Sequence, residues 1–133
     1  MKTIKFLTII GILSLGLLSF NKLYQEEWKI PEEYKKMKNT TEASAGNLAI
    51  GKSLYAKHCK SCHGKDGLGD GTKSGEVEGD LGDFSSKTFQ AQSDGTLFYK
   101  SYIGRNDMPN YEKKISEEDM WFAVHFLRTL GSK

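Results

Sequence analysis

Cys59-Lys60-Ser61-Cys62-His63 is the stretch that decides the reading of this 133-residue chain. A Cys-x-x-Cys pair followed at once by His is the pattern by which haem is attached covalently to protein. Each residue type has its own task. The two thiols add across the vinyl groups as thioethers, and a two-residue gap on a helical turn matches the vinyl spacing. The imidazole of His63 then lies beneath the iron as the proximal ligand. The pentapeptide therefore implies one haem c, attached through Cys59 and Cys62.

Other uses of the same residues fit less well. A zinc site needs four ligands. This chain offers Cys59, Cys62, His58, His63 and His125, with no second pair at metal spacing. His58 and His63 flank the cysteines too tightly to complete a relaxed tetrahedron. A thioredoxin-type pair sits at the end of a strand in a βαβ unit, and no such pattern surrounds Cys59. A disulfide between Cys59 and Cys62 would close too short a loop to stabilise much.

The N-terminus carries an address. Met1 to Lys5 is basic, and Phe6 to Phe20 follows without a charge, the form of an export signal. Fifteen residues are short for a spanning helix, which needs roughly 20. No small-x-small cleavage site follows, and extension through Leu23 and Tyr24 makes a short anchor with Lys2 and Lys5 inside. Residues 1–23 thus fit both a cleaved signal and a retained anchor, with membrane association through residues 6–24 in the second case. Export puts the chain on the periplasmic side of the cytoplasmic membrane. Thioether attachment of haem takes place on that outer face, so signal and motif agree.

Charge divides along the chain. Residues 1–40 hold seven Lys against four Glu, and residues 41–133 hold twelve Lys or Arg against thirteen Asp or Glu. The formal net charge of +2 is therefore no basic domain, and nothing points to nucleic acid. Residues 24–45 read as a polar linker. A flexible tether of that length spans roughly 25–30 Å. Trp28, Ile30 and Tyr34 are its apolar exceptions, suited to packing on the domain, on a partner or near a membrane interface.

The folded domain is expected over residues 46–133. Asn47 is a candidate cap for a helix over Leu48 to His58, which delivers the pentapeptide. Gly64 to Gly82 contains seven glycines and reads as an irregular, solvated loop beside the haem edge. Asp66, Asp70 and Gly71 lack the ligand spacing and terminal Glu of a calcium loop. Ser93 or Asp94 caps a second helix through Ile103, stopped by Gly104. Ser116 to Asp119 opens the last helix as a capping box. That helix runs to Leu130 with an apolar stripe of Met120, Trp121, Val124, Leu127 and Leu130, and His125 is an ordinary boundary residue on it.

The second iron ligand is expected to be Met108, in Gly104-Arg105-Asn106-Asp107-Met108-Pro109. A thioether is a soft, neutral donor that favours ferrous iron and raises the potential. A Gly/Asn/Asp-rich turn is an odd place for a core methionine, and Pro109 holds Met108 extended. Arg105 is suited to a haem propionate. Met37 in the linker and Met120 in the core stripe do not compete.

In its order of capped helix, C-x-x-C-H-G, glycine-rich loop, short helix, G-x-x-x-M-P and C-terminal W-x-x-V-x-F-L-x-x-L helix, the chain resembles a class I cytochrome c over residues 46–131. The second half is similar to small mono-haem subunits of membrane-bound quinol-oxidising complexes. The resemblance implies an all-α fold of three to five helices around one covalently bound haem. It also implies that the first and last helices cross with Gly51 and Tyr55 against Phe126 and Leu127. The family usually has a proline after the haem loop whose carbonyl accepts from the proximal His. This chain has only Pro31 and Pro109, so another carbonyl between Gly79 and Gly82 must serve.

The implied function is electron transfer and not enzymology. It would run in a respiratory chain, with a quinol-oxidising complex as donor and a terminal oxidase as acceptor. The alternative is a haem enzyme or gas sensor, which needs an open or displaceable sixth ligand. No distal His accompanies Met108 to serve it.

Overall fold

The computed structural model describes residues 26–132. Six α-helices follow one another among these residues: α1 Glu32–Lys36, α2 Ala45–His58, α3 Lys60–His63, α4 Lys87–Gln90, α5 Asp94–Ile103 and α6 Glu117–Thr129. Single 3-10 turns lie at Ser74–Glu76 and Leu130–Ser132. Among the described residues the only β pairing is an isolated bridge between Arg105 and Met108. The fold is all-α, as expected. The helix count exceeds three to five because α1, α3 and α4 are single turns around three longer helices.

Local chemistry sets the helix starts. The Ser93 and Ser116 side chains accept from the N–H groups of Thr96 and Asp119, capping α5 and α6. Glu117, Glu118 and Asp119 sit at the positive end of the α6 dipole. The cap of α2 differs from the expectation. Ser44 caps it by accepting from Asn47 N–H, and the helix starts at Ala45. The Asn47 side-chain amide donates instead to the Glu42 carbonyl.

Helices α5 and α6 build the core. Leu97, Phe98, Trp121 and Val124 are buried, and the Phe98 and Trp121 rings stack with centroids 4.2 Å apart. Each such side chain contributes about 1.5–3 kcal/mol by leaving water. Arg128 ties the end of α6 to the start of α5. Its Nε and Nη2 donate to Asp94 Oδ1, Nη1 to the Gln90 carbonyl and Nη2 to the Gln92 carbonyl.

Helix α2 crosses α6 at Gly51, where an added Cβ would be driven into the Phe122 carbonyl. The partner lies one turn earlier on α6 than expected. Tyr55 does meet Phe126, with ring centroids 5.1 Å apart. Because the obstacle is backbone, rotamers cannot relieve it. Gly51→Ala is expected to cost about 3 kcal/mol, which lowers the melting temperature of the loaded protein by about 10–20 °C. A thermal melt with a change of only a few degrees would refute this crossing.

The described part of the expected linker is folded onto the domain. Tyr34 on α1 packs on Phe98 and, edge-on, on Tyr99 with centroids 4.7 Å apart. Asn39 donates to the Trp121 carbonyl, and Thr41 is hydrogen-bonded to His125. Much of this anchoring runs through backbone carbonyls, which no side-chain pattern announces. The expected signal or anchor over residues 1–23 lies outside the described residues. Among the described residues no helix is long and apolar enough to cross a membrane.

Candidate functional site

Helix α2 ends at the pentapeptide. Cys59 is its C-cap and donates its N–H to the Tyr55 carbonyl. The chain then turns tightly, because the N–H groups of Cys62 and His63 both return to the Cys59 carbonyl at 3.2 and 2.9 Å. This single turn, α3, sets both thiols and the imidazole along one rim.

The glycine-rich loop completes that rim. Backbone N–H groups of Lys73, Gly71 and Gly69 donate to the carbonyls of Ser61, Cys62 and His63. These are the carbonyls that a helix end leaves without partners. The Tyr55 hydroxyl donates to the Gly64 carbonyl at 2.7 Å. In place of the expected solvated loop, its first half is the scaffold that fixes the motif.

His63 is set against Phe84, with ring centroids 4.6 Å apart. Burial lowers its pKa, opposed by the backbone carbonyl of Leu81, so the neutral imidazole is favoured. Leu81 lies in the Gly79–Gly82 stretch expected to replace the missing proline. Its carbonyl bears on the ring, yet His63 Nδ1 is buried without a partner at hydrogen-bonding geometry. Burial pushes the Cys59 thiol up to about 12, with Cys62 adding to the effect. At neutral pH that thiol is protonated.

Met108 reaches the same cleft as His63 from the turn that follows α5. Gly104, at φ +68°, turns the chain after α5, and a Cβ there would strike the Met108 and Pro109 carbonyls. The Arg105 carbonyl then accepts from Met108 N–H at 2.8 Å. Asp107 Oδ2 accepts from Glu78 N–H, linking the Met108 turn to the loop that leads to Leu81. The Tyr111 hydroxyl donates to the His58 carbonyl, tying the same turn to the end of α2.

These segments line a cleft of about 830 Å³, within the roughly 300–1,000 Å³ of small-molecule and cofactor sites. Cys59, Cys62, His63 and Met108 all line it, with Leu97 and Phe84 among its apolar walls. Cys59 and Cys62 form no disulfide. Among the described residues no group of three or more His, Cys, Asp or Glu side chains could hold a bare metal ion. An imidazole, a thioether and two thiols around one cleft of mixed apolar and charged lining fit an iron macrocycle.

The remaining histidines divide. His125 bonds through Nε2 to Thr41 and does not line the cleft. His58 does line it, its ring edge-on to Tyr111 at 5.2 Å. Met120 is buried in the core. Sequence reasoning missed Trp28, Lys100 and Tyr111 as cleft residues. Only the aromatic character of Trp28 and Tyr111 signalled anything.

A family model described as Cytochrome c matches residues 48–131. Among solved structures, the fold is similar to a chain of the reducing HAO-like protein complex of Kuenenia stuttgartiensis, at 26% sequence identity and a TM-score of 0.60. The match covers 81% of this chain and 52% of that one, so the chain spans about half the length of that protein. A search of curated proteins finds no match.

Proposed function

We propose, from the premise that the chain belongs to the cytochrome c family, that it carries single electrons through one haem held by Cys59 and Cys62, with His63 and Met108 as iron ligands. The observation that carries this reading is that all four side chains line one cleft. Haem bound there supplies a one-electron iron couple.

The chain's own residues do the rest. Cys59 and Cys62 tether the group to a turn fixed by backbone hydrogen bonds. His63 enters neutral, as a ligand must. Met108 sits on a turn tied to three other segments, so a change in iron charge meets little rearrangement. Were His63 and Met108 both to hold the iron, no position would be left open, which would separate a carrier from an oxygen- or peroxide-activating site.

Location and partners follow the same reading. Residues 1–23 bring the domain to the periplasmic side of the cytoplasmic membrane, as a cleaved signal or an anchor. The Kuenenia stuttgartiensis neighbour is part of a protein complex, which supports docking to a redox partner. A quinol-oxidising complex as donor and a terminal oxidase as acceptor fit a respiratory role.

Intact-mass measurement on the expressed holoprotein is expected to give one covalent haem per chain. A spectroelectrochemical titration is expected to show one reversible one-electron step with low-spin spectra at both ends. A wild-type protein that is high-spin and binds carbon monoxide readily would favour an enzyme or sensor instead.

A further inference from the structure

The family match begins at residue 48, yet the cleft does not. Glu26, Glu27, Trp28 and Ile30 line it as well. The Arg105 guanidinium lies over the Trp28 ring at 4.2 Å, and Lys100 Nζ stands 5.6 Å from the same centroid. Arg105 also donates through Nη2 to the Glu26 carbonyl at 2.6 Å and through Nη1 to the Glu27 carbonyl at 3.2 Å. One side chain thus grips residues 26–28 by a ring face and two main-chain oxygens.

The same residue belongs to the Met108 turn, since its carbonyl accepts from Met108 N–H. A guanidinium fork is planar and permanently charged, so this grip is directional and holds across the whole physiological pH range. At its other end the segment is pressed onto α5, where a Cβ at Gly95 would strike the Tyr34 carbonyl. Asn39 and Thr41 then fasten it to α6. Residues 26–41 are therefore secured at both ends, with the cleft wall between.

From this geometry we propose that residues 26–41 form a strap closing one side of the haem cleft, and that Trp28 is a positioning residue acting on the Met108 turn through Arg105. This rests on the reading of Met108 as an iron ligand. The strap does two things. It excludes water and small ligands from the Met108 side, and it resists the swing of the turn that would lift the thioether away. Lys100 adds a second cation beside Trp28, with its Nζ held by Gln92 Oε1 at 2.6 Å. Cationic charge over an indole face is favourable, the more so where water is excluded.

The test uses the full-length holoprotein with Trp28→Ala, Trp28→Phe and Arg105→Lys. Two quantities are read: the affinity of ferric protein for added imidazole, and the rate of tryptic cutting after Lys29, Lys35 and Lys36. Trp28→Ala is expected to raise both by about tenfold, because the ring contact is lost. Arg105→Lys, which keeps charge but loses the fork, should act in the same direction, and Trp28→Phe should largely restore wild-type values. Should Trp28→Ala not accumulate, the Arg105→Lys protein gives the same two readings. Faster cutting with unchanged imidazole affinity would overturn the positioning role, and wild-type values in both would overturn the strap. Met108→Ala separates the two premises. If its imidazole affinity equals wild type, Met108 is no ligand, while tryptic cutting still reports on the strap.

Discussion

A Cys59→Ala/Cys62→Ala protein is expected to lose its haem and, with it, the cooperative thermal transition of the domain. The cleft of about 830 Å³ is enclosed by Leu97, Phe84, Leu127 and Tyr111 among others, so without a macrocycle these faces have only water to meet. A domain of about 90 residues is already marginal, since small chains bury a smaller fraction of their surface. Such scaffolds rely on a staple, and here the staple is the cofactor. Both buried clusters reach the cleft, one through Leu97 and the other through Phe84 and Leu127. Circular dichroism melts and amide exchange on the double variant should show a broad, non-cooperative transition with little protection outside α5 and α6. Each single variant keeps one thioether and should fall between. A double variant that melts cooperatively near the wild-type temperature would show that the helices alone carry the fold.

What could be read from the sequence is what side chains declare. The pentapeptide, the Met-Pro turn, Ser93 and Ser116 as caps, and the stripe from Met120 to Leu130 all rest on residue type and spacing. What could not be read runs through the backbone. The carbonyl bearing on His63 comes from Leu81, a residue whose side chain says nothing about it; only the stretch is legible. The grip on residues 26–28 uses carbonyls of two glutamates whose charges suggest a solvated linker. The loop from Gly64 looks irregular because its order comes from N–H groups donated to α3. Asn47 reads as the cap of α2 because Asn is a good capping residue. Ser44 wins because Ala45-Gly46 can be helical once the following turn packs. Arg128 gives no sign of its role, since a lone Arg late in a helix ordinarily does no more than complement the dipole.

Met108→Ala is expected to leave the haem attached and the domain folded, but to open the iron and lower its potential. Attachment depends on Cys59 and Cys62, which stand on α3 and are untouched by the change. The turn itself is held by its neighbours, through Gly104, the Arg105 carbonyl, Asp107 and Tyr111, so truncating one side chain should leave its path in place. Met108 is only half-buried, and losing its packing should cost at most about 2 kcal/mol. The electronic effect is much larger. A thioether stabilises the ferrous state, and exchanging it for water removes that preference. Axial ligands move haem potentials over about 0.8 V, and a fall on the order of 200 mV is expected here. At about 59 mV per decade that is more than three decades in the electron-transfer equilibrium, enough to reverse the direction of transfer with a matched partner. The variant should turn high-spin and bind imidazole or carbon monoxide far more tightly than the wild type. Met108→His gives the complementary result: a second imidazole restores the low-spin spectrum but not the potential. If Met108→Ala instead keeps the wild-type spectrum and midpoint, another residue holds the iron. His58 and Lys100, which also line the cleft, are then the side chains to replace next.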